Sequence, residues 1–201
     1  AALSDSPVLA KLLLHRFSRG DGLEGHTFGN LFIATLSEER GSFRDATLSV
    51  NEILNVRGRV LPASLEPAVL IAELEDGTRI RGESSLHSQT KGRRVRRIHT
   101  EPPALTAAPE AVQAIGEAEL IVIGPGSLYT SVTPPLLVAD LARAIRGSKA
   151  TLIYICNVMT EPGESDGLDA NAHTAAITTH LGRAPDVVLL NNAPVALEVI
   201  Q

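Results

Sequence analysis

The segment Gly124-Pro125-Gly126-Ser127-Leu128-Tyr129-Thr130-Ser131 follows directly on an apolar, β-branched run, Ile121-Val122-Ile123, and precedes a helix-like stretch from Pro134-Pro135-Leu136. Gly124 and Gly126 let backbone approach a ligand closely, and Pro125 stiffens the turn. Backbone N–H groups at the end of a buried strand can converge on a phosphate. The hydroxyls of Ser127, Thr130 and Ser131 can donate to phosphate oxygens. Tyr129 stands where a dinucleotide fingerprint needs its third glycine, and no Gly-Lys-Ser/Thr follows to make a Walker A loop. The segment therefore points to a phosphorylated small molecule, with a nucleotide foremost. A tight strand–helix connection with an N-cap is the alternative.

Asn157 ends a second apolar run, Thr151 to Cys156, and Asn191-Asn192 end a third. In an open parallel sheet, ligands bind beyond the carboxyl ends of the strands, so these segments should share one edge with the first loop. The amide of Asn157 suits a sugar or base edge, or else satisfies its own turn. Thr160 to Gly167 carries three carboxylates that could hold a divalent ion such as Mg²⁺ beside a phosphate. A solvated loop capping the helix from Leu168 is the competing reading. His26 and Asn30 are spaced i, i+4 among Gly25 and Gly29. On a helix they share a face, where a histidine could bond a ligand or shuttle a proton; a capping cluster around Thr27 and Asn30 is the bland alternative. Arg57 and Arg59 could meet an anion or complement a helix C-terminus. Arg93, Arg94, Arg96 and Arg97 lack interleaved aromatics and suit a charged edge strand. The histidines show no metal-ligand spacing, no nucleophile–base arrangement can be assembled, and Cys156 reads as a buried strand residue.

The elements that must hold these residues fall into three stretches. Pro7–Phe17, capped by Ser6, the apolar run Leu31–Leu36 and Phe43–Val56, capped by Ser42, read as helices; Ala46, Val50, Ile53 and Leu54 mark the inner face of the last. Residues 62 to 101 read as a small β insertion, with Ala68–Leu74 and Thr78–Arg81 joined by an Asp76-Gly77 hairpin and a third strand at Arg94–Ile98. From Pro109 onward helices at 111–118, 136–145 and 168–181 alternate with strands at 119–123, 151–156 and 186–190, which implies a parallel sheet. The fold class is thus α/β: a Rossmann-like parallel sheet with a small β insertion and N-terminal helices.

At 201 residues and 44% hydrophobic, the chain can bury a sizeable core as one domain with an insertion. A net charge of −5 argues against a nucleic-acid partner. A lone cysteine forms no internal disulfide, no apolar stretch is long enough to span a bilayer, and residues 1–7 lack the pattern of a signal peptide. The expected setting is the cytoplasm.

The chain resembles the 2-phospho-L-lactate transferase-like family, closest to its bacterial branch, the gluconeogenesis factors. The resemblance rests on Gly25-His26-Thr27-Phe28-Gly29-Asn30-Leu31, on Val56-Arg57-Gly58-Arg59-Val60-Leu61-Pro62-Ala63, on Gly124 to Val132 and on Tyr154 to Glu164, which occur in order over nearly the whole chain. It implies a Rossmann-like core. For the archaeal branch it implies transfer of a phospholactyl group from a guanine nucleotide. For the bacterial branch it implies binding of UDP-sugars, notably UDP-N-acetylglucosamine, in a regulatory role in gluconeogenic growth, cell-wall synthesis and cell shape. The implied ligand-binding set is Gly124, Gly126, Ser127, Leu128, Tyr129, Thr130, Asn157, His26, Asn30 and Arg57; the expected partner is a nucleotide or nucleotide sugar, and a homodimer stays open. Members usually carry a glycine-rich first loop and an acidic-glycine segment ahead of Ala1 and continue past Gln201, so the chain is expected to be a fragment of a larger domain.

Overall fold

Thr27 and Ser42 each start a helix in the same way. Both hold an extended backbone, and each side-chain oxygen accepts the N–H three residues on: Asn30 N–H to Thr27 Oγ1 at 3.2 Å, and Asp45 N–H to Ser42 Oγ at 3.0 Å. The computed structural model describes residues 7–54, 58–90 and 92–193. They fall into two units, Ala1–Leu65 and Glu66–Gln201.

In the first unit α1 spans Pro7–Leu13, α2 Phe28–Arg40 and α3 Phe43–Ile53. The expected cap Ser6 lies outside the described residues. α1 stops short of the predicted Phe17 because the chain turns extended there: Phe17 N–H bonds the His26 carbonyl and Phe28 N–H bonds the His15 carbonyl. On α3 the buried arc runs through Ala46, Thr47 and Val50 to Leu54. Ile53, assigned to that face from spacing, lies at its margin and is 49% exposed.

The second unit holds two sheets. β1 (Val69–Leu74), β2 (Arg79–Arg81) and β3 (Val95–Glu101) form an antiparallel sheet in the order β2-β1-β3. The Asp76-Gly77 hairpin is as expected, with Gly77 at φ 82°. Thr78 N–H donates to Asp76 Oδ1 and Arg93 Nη1 reaches Asp76 Oδ2 at 3.0 Å. The Thr78 bonds, with help from Arg93, pull the Asp76 carboxyl down to about 2. Between β2 and β3 runs α4 (Glu83–Gln89), absent from the sequence reading because one long apolar side chain, Leu86, anchors it and one anchor leaves no period to read. β3 lies at a sheet edge, with Arg96 and Arg97 exposed.

From α5 (Pro109–Glu117) onward the α/β alternation holds: β4 (Leu120–Ile123), α6 (Ala139–Gly147), β5 (Thr151–Ile155), α7 (Ala170–Leu181) and β6 (Val187–Leu189). The strands are parallel in the order β4-β5-β6. Crossovers of one hand that advance in one direction put their helices on one face. That face carries Ile121, Ile123, Leu152, Tyr154 and Val188, which pack with Ala142, Ile145, Ile177 and Leu181 from α6 and α7. The opposite face presents Leu120, Val122, Val187 and Leu189, each 41–51% exposed. The core is continuous with that of the antiparallel sheet through Ala72, Leu74, Ile80 and Ile98.

The helix predicted from Leu136 starts differently. Leu128–Val132 makes a π-type turn and Pro134–Leu137 a 3₁₀ turn, and only at Ala139 does α6 begin. Two adjacent prolines supply no N–H donors, so an i→i−4 hydrogen-bond ladder cannot start there. Thr133, fully buried, closes the π turn by giving both its N–H and its hydroxyl to the Leu128 carbonyl, at 2.9 and 2.6 Å.

Candidate ligand-binding site

The loops leaving β4 and β5 meet at the carboxyl edge of the parallel sheet. Gly126 N–H donates to Asn157 Oδ1 at 3.1 Å, so the asparagine amide ties the first loop to the second. Gly124 sits at φ 79°, and a Cβ there would lie 2.8 Å from the Ile155 carbonyl oxygen. Only glycine therefore allows the first loop to lie so close to the end of β5. At Gly126 a Cβ would meet Val132 Cγ2 at 3.2 Å.

Further along the loop, the N–H groups of Tyr129 and Thr130 bind an anion that the chain itself supplies. Glu164 Oε1 accepts from Tyr129 N–H and, at 3.2 Å, from Thr130 N–H, while Thr130 Oγ1 donates to Glu164 Oε2 at 3.0 Å. Glu164 is 4% exposed. Burial raises its pKa, and the bonds from Tyr129 and Thr130 act against that rise. The acidic loop is thus not simply solvated. Glu164 points inward, Asp166 Oδ2 accepts from Gly163 N–H, and Asp169 Oδ1 accepts from Ala172 N–H to cap α7. Among the described residues no group of three or more His, Cys, Asp or Glu could hold a metal ion, so the three carboxylates do not assemble a Mg²⁺ ligand set.

Of the expected site residues, Gly124, Gly126, Ser127, Leu128, Tyr129, Thr130 and Asn157 come together at this edge. The side chains of Leu128 and Tyr129 are buried in the core, so these two face the edge with backbone alone. The Ser127 and Leu128 N–H groups are engaged by neither Glu164 nor Asn157. Tyr129 donates its hydroxyl to the Val95 carbonyl at 3.3 Å, and burial lifts its pKa to about 12. His26 and Asn30 belong to the first unit. His26 precedes α2 rather than riding on it, and Asn30 gives its N–H to Thr27, which is the capping arrangement. Arg57 lies outside the described residues.

A cleft of about 230 Å³ opens where β5 and β6 end and α7 begins. Asn157, Thr160, Asp169, His173 and Asn191 line it, with Cys156 at its base. His173 is 3% exposed and shares a 3.3 Å hydrogen bond between its Nδ1 and the Tyr154 hydroxyl. Burial lowers its pKa, against the attraction of Asp169. His173 and Glu164 were not singled out from sequence. The signal for His173 was available: it lies four residues after the α7 cap and so one turn above it. Glu164 could be placed only once the loop was folded.

A family model described as "2-phospho-L-lactate transferase CofD" matches residues 1–201. The chain belongs to the CofD family. Among CofD relatives, a Deinococcus radiodurans protein is 56% identical over 195 residues, covering 97% of this chain and 42% of its own length. The "Gluconeogenesis factor" of Bacillus subtilis is 42% identical over 201 residues, covering 99% of this chain and 63% of its own length. A crystal structure of a Bacillus halodurans protein superposes with a TM-score of 0.89 at 44% identity, over 98% of this chain and 64% of that one. The chain thus spans about two-fifths to two-thirds of the relatives it matches. The mixed α/β architecture with a parallel sheet agrees with the expectation from sequence and with the superposition on that crystal structure. No helix among the described residues is long and apolar enough to cross a membrane.

Proposed function

We propose that this chain binds a nucleotide sugar of the UDP-N-acetylglucosamine type at the carboxyl edge of β4-β5-β6, and that the protein acts as a regulator in gluconeogenic growth, cell-wall synthesis and cell shape. The observation that carries the reading is the juxtaposition of the Gly124–Thr130 loop, stapled through Gly126 to Asn157, with the cleft lined by Asn157, His173 and Asn191. The Tyr129–Thr130 backbone already cradles a carboxylate, which supports an anion-seeking loop. Phosphate then takes the neighbouring N–H groups of Ser127 and Leu128, and the amides of Asn157 and Asn191 meet the polar edge of sugar or base. His26, Asn30 and Arg57 belong to the ligand set that the family resemblance implies. Residues 1–201 serve as one α/β domain with the antiparallel sheet as an insertion, in the cytoplasm, and a homodimer is compatible with this role. The relatives' name supports the gluconeogenic setting.

The family's own description favours a second reading, transfer of a phospho-group from a nucleotide-linked donor. Calorimetric titration with UDP-N-acetylglucosamine, GDP and GTP separates binding preferences. Asn157→Ala should weaken UDP-sugar binding by about 0.5–1.5 kcal/mol, the net worth of a neutral hydrogen bond. Gly126→Val should block the close approach; wild-type affinity in that variant would refute the loop assignment. Mass spectrometry of incubations with nucleotide sugars and phospholactyl-type donors, with and without Mg²⁺, should show no multiple turnovers. Turnover on any donor would decide for the transferase.

A further inference from the structure

The antiparallel sheet has a second recess, of about 420 Å³, on the face turned away from the core. Its composition follows from register. Arg81, Ile71 and His99 lie opposite one another across β2, β1 and β3, and Arg79 sits in the next row, opposite Glu73. Side chains in one cross-strand row share a face, so Arg81 and His99 flank Ile71 as two walls flank a floor. Pro103 adds a further apolar surface.

Three features make this recess a receptor for negative charge. The Arg79 guanidinium makes no hydrogen bond or ion pair with any described residue. Its cross-strand neighbour Glu73 is already taken, bonded to Arg96 at 3.2 Å and to Arg97 at 3.3 Å. Among the described residues the Arg81 guanidinium has one partner, Glu101 at 2.9 Å, but both side chains are more than half exposed. An ion pair so open to water is weak, and its guanidinium is readily shared with an incoming oxyanion. The third feature is the His99 ring in the recess wall, whose Nδ1 has no hydrogen-bond partner among the described residues.

We propose that this face is a second ligand site, which takes a small metabolite through its phosphate or carboxylate group, held by Arg79 and Arg81 beside the His99 ring. Guanidinium forks match both groups in geometry. Ile71 and Pro103 receive the ligand's carbon skeleton.

The test titrates the protein with inorganic phosphate, glycerol 3-phosphate and citrate. Binding is followed by calorimetry and by the histidine ring resonances, with the His99 signal identified through His99→Gln. Saturable one-to-one binding in the millimolar range or tighter is expected, with the His99 signal moving. The better of the phosphate and carboxylate probes identifies the group. Arg79→Gln/Arg81→Gln should weaken binding about ten-fold or more, since charge-assisted bonds are lost. Glu101→Gln, which releases Arg81, should tighten it. Thermal melts check that the variants fold, as expected for exposed arginines on an edge strand. Titration of UDP-N-acetylglucosamine into the double arginine variant should give wild-type affinity whether or not the reading of the parallel-sheet edge holds. Anion binding unchanged in the double variant, no saturable binding by wild type, or an equal loss of UDP-sugar affinity would each overturn the proposal of a separate site.

Discussion

His180 fastens the antiparallel sheet to the last helix of the parallel one, and the fastening should fail in mild acid. Its Nδ1 lies 2.7 Å from the Ala176 carbonyl, and its Nε2 lies 3.1 Å from Ile98 N. Ile98 N–H can only donate, so Nε2 must accept and the proton must sit on Nδ1. Protonating the ring would put a hydrogen on Nε2, facing the Ile98 N–H, and the bond would be lost. Burial, the largest influence, lowers the His180 pKa; the Ala176 bond opposes this, and the charge of Arg97 adds to it. Below the ordinary value of 6.5 the unfolded chain therefore takes up a proton that the native ring resists. The contribution to stability is complete above about pH 6.5 and is lost as pH falls from there toward the lowered native value. His180→Phe keeps a ring beside Tyr129 but strands the Ile98 amide, which costs about 1–3 kcal/mol at pH 7.5. Urea unfolding at pH 7.5, 6.5 and 5.5 reads both quantities. Wild type should lose stability across the series, and the gap to His180→Phe should narrow with it. His173, buried and shifted in the same direction, leaves the variant with part of the dependence. Parallel profiles for the two proteins, or a variant as stable as wild type at pH 7.5, would refute the reasoning.

Leu152→Ala empties a fully buried position in the central strand and should cost about 2–5 kcal/mol in chemical denaturation. Glu164→Ala leaves two backbone donors and the Thr130 hydroxyl without their acceptor, and should destabilise by about 1–3 kcal/mol; Glu164→Gln, which keeps an oxygen for Tyr129 and Thr130, should cost less when the two are compared by thermal melts. Gly124→Ala forces a Cβ against the Ile155 carbonyl at a left-handed φ and should cost about 1–3 kcal/mol by urea midpoint, whereas wild-type stability would mean that the loop yields freely.

Periodic signals in the sequence were reliable where packing repeats along an element. The alternation of apolar runs with helical segments after Pro109 gave the parallel sheet, and Asp76-Gly77 gave the hairpin, because each is a local rule obeyed by local chemistry. Legibility fell where the chain departs from a repeat. α4 carries one long apolar side chain, Leu86, and the residues before α6 are shaped by Pro134 and Pro135 into two short turns that no helical period describes. At the candidate site, the glycine loop and Asn157 were visible as residue types, and the topology that joins them was inferable from strand order. What could not be read was the hydrogen bonding across sequence. Glu164 and Tyr129 are 35 residues apart, and a carboxylate in a polar loop looks the same on paper whether it faces water or a pair of backbone amides.

The side of the parallel sheet that the described residues leave half exposed has a thermal consequence. Parallel strands are ordinarily shielded on both faces. Here Leu120, Val122, Val187 and Leu189 are 41–51% exposed among the described residues. Whatever comes to rest on them releases water, so its association must carry a negative heat-capacity change. Such a contact would weaken as the solution is cooled, and sulfate would strengthen it. A calorimeter run at several temperatures would register such an event by its slope alone, before the covering surface had been identified.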